Sequence, residues 1–146
     1  MQWTLESKMN KSNFWILQHN EKSKAQLRYN REARSIRLQA GERRLYFLEQ
    51  VWHANNKIEL QTEYSIVIGE IQMNRERLSG NVIMDGQHYT FTTEKDQVHL
   101  QENTRTIKTV IIEDTSGLDF FEFSALLFGF CSSLINTRLK QEYEIA

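Results

Sequence analysis

The sequence contains no proline, only six glycines and one cysteine among its 146 residues. With no proline and few glycines, no stretch is typical of a flexible linker or a low-complexity tract. A lone cysteine, Cys131, excludes an internal disulfide framework. These scarcities favour a single domain over residues 1–146, and a chain of this length can bury a sizeable core.

Long apolar runs and secretory signals are also lacking. The longest apolar run, residues 120–135, is shorter than the ~20 residues that a bilayer-spanning helix needs, and it contains Glu122. The first residues lack the basic start, apolar centre and small-residue cleavage site of a signal peptide. We therefore expect no transmembrane span and a reducing, cytoplasmic setting, with peripheral attachment to a membrane left open.

Charge is nearly balanced overall but uneven along the chain. The formal net charge at pH 7 is -1. Residues 1–44 hold ten Lys and Arg against four Asp and Glu, a net +6, whereas residues 45–146 hold eight against fifteen, a net -7. A basic segment of this kind can form an anion-facing surface, or it can be a plain solvated face of the sheet.

Short segments of alternating apolar and polar residues dominate the chain up to residue 113. They recur about once every ten residues, which is typical of a β-sandwich or a β-barrel. The Asp-Gly pair at 85–86 is the clearest turn, because a two-residue type I′ turn needs positive φ at both central positions. That turn predicts a hairpin in which Val82 faces Tyr89 and Gly80 faces Phe91.

The segment 120–135 predicts a helix that is apolar on nearly every side, and such a helix must be buried all round. We expect the helix to cover residues 119–138. Ser116 or Asp119 can act as its N-cap, and Asp119 with Glu122 resembles a capping box.

The fold class follows from where such a helix can be buried. A stripe of small side chains allows a neighbouring backbone to approach it closely: Ala125, Gly129 and Ser133. A rolled-up sheet offers burial on all sides, and a helix of about sixteen residues is ~24 Å long, close to the height of a small barrel. We predict a mainly β protein, a closed antiparallel β-barrel of about 10–12 short strands around a buried hydrophobic C-terminal helix.

This order of elements resembles the tubby C-terminal-like barrel, whose relatives include the LURP-one-related proteins and the phospholipid scramblases. The resemblance rests on the strand-plus-glycine segment 64–71, the hairpin 80–91 and the helix 120–135, and it covers residues 25–139. In that superfamily a β-barrel wraps a central hydrophobic helix. The resemblance implies a binding or membrane-associated role, since tubby proteins bind phosphoinositide head groups through basic side chains. None of those basic positions is carried over to this chain.

Four arginines are the candidate ligand-binding residues: Arg28, Arg31, Arg43 and Arg44. On neighbouring strands they could form a patch for phosphate groups, since a guanidinium group binds phosphate bidentately. Tyr29 and Tyr46 could stack beside them, as aromatic rings do in proteins that bind single-stranded nucleic acid. The slightly acidic chain nevertheless argues against nucleic acid as the main partner.

No motif points to catalysis, a metal or a cofactor. The four histidines have no metal-ligand spacing, and Cys131 lies in the most apolar part of the chain, as a small buried hydrophobe would. Nucleotide-binding glycine loops and the Gly-x-Ser-x-Gly elbow are absent. The tryptophans are expected in the core or at the barrel ends, and Trp15 is the first place to look for an exposed apolar patch.

The sequence therefore favours a non-enzymatic binding module, without cofactors, that uses the outer surface or the rim of a filled barrel. The candidate partners are an anionic lipid or phosphate and another protein. The alternative is a hollow barrel of lipocalin type, either a small-ligand carrier or a small enzyme, with the helix packed outside. An external helix would show one polar face, and this segment shows none between Phe123 and Ile135.

Overall fold

The computed structural model describes residues 1–9, 12–48, 57–61, 64–74, 79–102, 105–112 and 118–145, with side chains up to residue 134. Within these residues the chain forms eleven strands followed by a helix. The strands are β1 (Gln2–Met9), β2 (Ser12–His19), β3 (Lys22–Asn30), β4 (Ser35–Ala40), β5 (Arg43–Leu48), β6 (Lys57–Gln61), β7 (Val67–Met73), β8 (Ser79–Met84), β9 (Gln87–Glu94), β10 (Gln97–Glu102) and β11 (Arg105–Ile112). The helix is α1 (Phe120–Ile145).

The eleven strands form one sheet in the order β5-β4-β3-β2-β1-β11-β10-β9-β8-β7-β6. The end strands β5 and β6 approach each other, so the sheet is nearly closed into a barrel. This confirms the predicted mainly β barrel with a C-terminal helix. The pairing of β1 with β11 is parallel, unlike the purely antiparallel arrangement expected. These two strands are far apart in sequence, so no hairpin turn imposes an antiparallel direction on them.

The β8–β9 hairpin has the register predicted from its turn. Asp85 and Gly86 have φ angles of 50° and 77°, as a type I′ turn requires. Val82 pairs with Tyr89, and Gly80 pairs with Phe91. A Cβ atom at Gly80 would meet the Gln72 carbonyl oxygen of β7 first, and it would lie 2.8 Å from the Phe91 ring, so the glycine makes room for both the neighbouring strand and this aromatic side chain.

The helix α1 packs on the inner face of the sheet, and all side chains from 121 to 134 are buried. Strands from both halves of the chain contact it. The Trp3 indole N–H of β1 donates a hydrogen bond to the Leu126 carbonyl oxygen at 3.0 Å. On the other side, the ring centroids of Phe91 in β9 and Phe123 are 6.4 Å apart. The polar residues in this part of the helix are buried and face protein, whereas those of a surface helix face solvent.

The stripe of small residues allows two strands to approach the helix closely. A Cβ atom at Gly129 would lie 2.8 Å from Cζ2 of Trp3 and 3.0 Å from Cδ1 of Leu38. Real Cβ atoms essentially never come as close to another heavy atom as this one would come to Trp3, and the distance to Leu38 is tighter than most real Cβ contacts. The absence of a side chain at Gly129 is therefore what allows β1 and β4 to pack against α1.

The helix starts where predicted and ends later. Asp119 Oδ1 accepts a hydrogen bond from the Glu122 backbone N–H at 2.7 Å, as an N-cap residue does. The other candidate cap, Ser116, lies outside the described residues. The helix continues beyond residue 138 to Ile145, through a segment rich in good helix formers. Among the described residues, no helix has the length and hydropathy needed to cross a membrane.

Candidate functional site

The outer face of strands β2 to β5 carries a concavity of about 780 Å³, which we call the arginine groove. Its lining residues are Phe14, Gln26, Arg28, Arg37, Leu38, Gln39, Arg44, Leu45, Tyr46 and Tyr64. Strand periodicity produces this surface, because successive side chains point to opposite faces of a sheet. Leu27 is fully buried in the core, for example, and its neighbour Arg28 is exposed in the groove.

Four side chains form a row across the arginine groove. The strand register pairs Phe14 with Arg28, Arg28 with Arg37, and Arg37 with Tyr46. The Cζ atom of Arg28 lies 5.5 Å from the Phe14 ring centroid, and that of Arg37 lies 5.7 Å from the Tyr46 ring centroid. Both distances are within cation–π range. A guanidinium group stacked in this way still presents its N–H edge to a ligand.

A second row lies beside the first and is also polar. The register pairs Gln26 with Gln39 and Gln39 with Arg44. Side-chain amides both donate and accept hydrogen bonds, whereas a guanidinium group only donates. The arginine groove therefore combines three cations with two amides that can bind either kind of polar group.

Within the described part of the chain, the cations of the groove have no acidic partner. None of the described lining residues is Asp or Glu. The ion pairs among the described residues do not involve Arg28, Arg37 or Arg44. Like charges directly opposite each other on neighbouring strands repel. An anion bound between Arg28 and Arg37 would relieve that repulsion.

Two of the arginines predicted from the sequence, Arg31 and Arg43, lie outside the arginine groove and face carboxylates. Arg43 forms two hydrogen bonds with Asp85, one of them 2.9 Å between Nη2 and Oδ1. This pair joins β5 to the β8–β9 turn. Arg31 Nη2 lies 3.7 Å from Oε1 of the buried Glu122. These charges are balanced within the fold, so neither arginine joins the patch that we expected.

The other two predicted arginines, Arg28 and Arg44, line the groove together. The structure adds Arg37, which the sequence analysis did not select. The alternation of β4 carries the relevant signal, because Arg37 and Gln39 occupy its exposed positions between buried residues. What the sequence does not indicate is that Arg37 stands directly opposite Arg28.

The predictions for aromatic residues have different outcomes. Tyr46 lines the arginine groove as expected. Tyr29 is fully buried, and its hydroxyl donates a hydrogen bond to Asp119 Oδ2 at 2.6 Å, so it cannot stack on a ligand in the groove. Trp15 is also buried, and its indole N–H donates to Glu122 Oε2 at 2.8 Å. The exposed apolar patch is therefore not at Trp15, while Trp52 lies outside the described residues.

A polar cluster, which we call the rim cluster, joins the start of α1 to β2, β3 and the turn after β3. Its members are Asn13, Trp15, Tyr29, Arg31, Arg34, Asp119 and Glu122. The Glu122 carboxylate is fully buried, and its Oε2 accepts hydrogen bonds from both Asn13 Nδ2, at 2.7 Å, and the Trp15 indole. Hydrogen bonds of this kind compensate for the removal of a carboxylate from water.

Asp119 is the second carboxylate of the rim cluster. Its Oδ2 accepts hydrogen bonds from the Tyr29 hydroxyl and from Arg34 Nη1, the latter at 2.8 Å. Burial acts to raise the Asp119 pKa, but hydrogen bonds from Tyr29, the Glu122 amide and Arg34 outweigh it and hold the pKa below its usual value. Burial and the bond to Asp119 raise the pKa of Tyr29, so its hydroxyl stays protonated. The rim cluster thus uses its charges to hold the helix in place.

The environment of Cys131 makes its thiol unreactive. The side chain is fully buried, and burial raises the pKa of its thiol to about 12, so the reactive thiolate is scarce at neutral pH. Over the described ranges, no group of three or more His, Cys, Asp or Glu side chains could hold a metal ion. Among the described residues, the arginine groove is therefore a better candidate site than Cys131 or a metal centre.

Comparisons with protein-family models, curated proteins and solved structures gave no match to this chain. The resemblance to tubby-like barrels consequently stays a prediction.

Proposed function

We propose that this protein is a non-enzymatic binding module that holds a phosphate-bearing anion in the arginine groove, on the outside of a filled barrel. The observation that carries the proposal is the row formed by Phe14, Arg28, Arg37 and Tyr46. Two guanidinium groups stand side by side, each against an aromatic ring. Their N–H edges match the oxygen atoms of a phosphate group, which arginine binds bidentately.

The size and lining of the groove support a ligand larger than phosphate alone. A volume of about 780 Å³ falls within the usual range for small-molecule sites. Gln26 and Gln39 supply hydrogen-bonding amides next to the arginines. Tyr46 and Tyr64 supply aromatic surface for the organic part of a ligand. The chemistry shared by all candidates is a phosphate group joined to an organic portion.

Two binding measurements on the full chain test the proposal and separate free phosphates from lipid head groups. The first is calorimetric titration with inorganic pyrophosphate at low salt. The second is co-sedimentation with vesicles of phosphatidylcholine containing phosphatidic acid. We expect Arg28→Ala and Arg37→Ala to weaken binding about tenfold or more, since a hydrogen bond to a charged group contributes about 1.5–3 kcal/mol.

Arg43→Ala is the matched control, because Arg43 is engaged with Asp85 outside the groove. This variant should bind like the parent. The proposal is rejected if the parent binds neither pyrophosphate nor the vesicles. It is equally rejected if Arg43→Ala weakens binding as much as Arg37→Ala does, because the groove would then have no special role. Circular dichroism of each variant establishes that its fold is intact.

A further inference from the structure

An exposed apolar segment lies at the edge of the arginine groove. Tyr64 lines the groove and is 78% exposed, and Ile66 and Val67 beyond it are 59% and 50% exposed. We call Tyr64, Ile66 and Val67 the apolar lip. Single exposed apolar residues are ordinary, but several together beside a polar site mark a surface that contacts a partner or a membrane.

The backbone at the apolar lip has an unusual conformation. Ser65, between Tyr64 and Ile66, has a φ angle of 62°, in the left-handed region that non-glycine residues adopt rarely. Regular strand structure begins only at Val67.

Strand β5 extends the apolar surface next to the groove. Leu48 is 55% exposed and lies two residues after Tyr46, so both side chains point to the outer face. Tyr46 and Tyr64 line the same groove. Apolar side chains from two separate parts of the chain therefore flank the arginines.

This combination of charges and apolar side chains is complementary to an anionic bilayer. Arginines are attracted to the negative surface of a membrane. Tyrosine is favoured at the level of the head groups, and aliphatic side chains favour the boundary with the acyl chains. A free phosphate compound would use the arginines and Tyr64 and would leave Ile66 and Val67 without a role.

Building on the proposed function, we propose that the arginine groove and the apolar lip together form a membrane-docking surface. The groove binds the phosphate of an anionic phospholipid, and the apolar lip inserts into the bilayer interface beside it. The docking face comprises the outer side of β2 to β5 and the start of β7.

A fluorescent label at the apolar lip tests insertion directly. An Ile66→Cys variant can be labelled selectively with the environment-sensitive fluorophore NBD, because the native Cys131 is fully buried. With phosphatidylcholine vesicles containing phosphatidic acid, its emission should rise and shift to the blue. Pure phosphatidylcholine vesicles should have little effect. Ile83→Cys is the matched control, since Ile83 is 37% exposed on β8 and outside the docking face; its label should not respond.

A second variant removes the apolar character without a label. Ile66→Ser with Val67→Thr should weaken vesicle binding about tenfold or more, because both side chains lose their favourable transfer out of water. Pyrophosphate binding should be unchanged, since the arginines are intact. Arg37→Ala should weaken both, and added salt should weaken the arginine contribution preferentially.

The outcomes separate this inference from the proposed function. If vesicles bind through Arg37 but the label at 66 does not respond and the double variant binds like the parent, the membrane proposal is overturned and the proposed function stands. A blue shift that grows with protein concentration without vesicles would also overturn it, because a second copy of the chain would then cover the apolar lip. If the parent binds neither pyrophosphate nor the vesicles, the proposed function itself is rejected.

Discussion

Successive side chains along strands β2 to β5 point to opposite faces of the sheet, and the two faces have different environments. On the inner face, Leu38 packs against Gly129 of α1, which has no side chain. On the outer face, its neighbour Arg37 stands opposite Arg28 with no carboxylate beside either in the described chain. The inner face is filled and stabilises the fold, whereas the outer face leaves charge and volume for a ligand.

The arginines show the same contrast. Arg34, in the rim cluster, bonds to Asp119 and to Tyr29. Arg37 follows three residues later and stacks on Tyr46 in the groove. A guanidinium group that is neutralised inside the fold contributes to stability, and one that is not remains available for an external anion. The charge of the basic segment alone therefore does not locate the site. Carboxylates distant in the sequence pair with some of the arginines, and only the others are available to an external anion.

Overpacking the inner face should have the largest effect on stability. Gly129→Leu places a side chain where even a Cβ atom would lie 2.8 Å from the Trp3 ring, so we expect a loss of about 1–3 kcal/mol or more. Urea unfolding measures it. Gln39→Leu introduces the same side chain on the outer face and should change stability by less than about 0.5 kcal/mol. Equal effects from the two variants would contradict the contrast between the faces.

Removing the charge of Asp119 should have a smaller, pH-dependent effect. The asparagine of Asp119→Asn can still cap the helix, but its bonds to Tyr29 and Arg34 lose their charge, which should cost about 1 kcal/mol at neutral pH. Because the folded-state pKa of Asp119 is lowered, its stabilisation is present above about pH 4 and is lost as pH falls through the folded pKa. Urea unfolding of parent and variant from about pH 7 to about pH 2 should show the difference shrinking. A constant difference would mean that the charge of Asp119 is not what stabilises the rim.

The smallest effect on stability should come from a groove arginine. Arg37→Gln removes a like charge opposite Arg28 but also a cation–π contact, so stability should change by less than about 0.5 kcal/mol. The same substitution at Arg34 removes bonds to Asp119 and Tyr29 and should cost about 1 kcal/mol. Thermal unfolding compares the two variants. If Arg37→Gln is the more destabilising, the groove arginines are structural rather than available for a ligand.

Features that depend on near neighbours in sequence were predictable. The Asp-Gly turn at 85–86 sets the pairing of Gly80 with Phe91, since a type I′ turn imposes register on the strands beside it. Cap chemistry narrowed the N-cap to Ser116 or Asp119, and the structure shows Asp119 in that role. The burial of the helix followed from the absence of a polar face. In each case the interacting groups lie within a turn or along one element.

Two of the four arginines predicted from the sequence lie in the candidate site. Arg28 and Arg44 were selected as basic residues on strands, and both line the groove. Arg31 and Arg43 had the same signal, but Glu122 and Asp85 neutralise them across the fold. Tyr64 precedes β7 in the chain and lines the groove with residues of β2 to β5, so its contribution is a matter of tertiary contact alone.

The sequence by itself therefore determined the strands, the hairpin at 85–86 and a helix that has to be buried. These follow from periodicity, turn geometry and hydrophobicity, which act over a few residues. Only the tertiary structure decided that β1 joins β11 in parallel, that Arg28 stands opposite Arg37, and which arginines keep their charge unmatched. Those outcomes depend on contacts between residues far apart in the chain. These residues come together only when the sheet curves into a barrel.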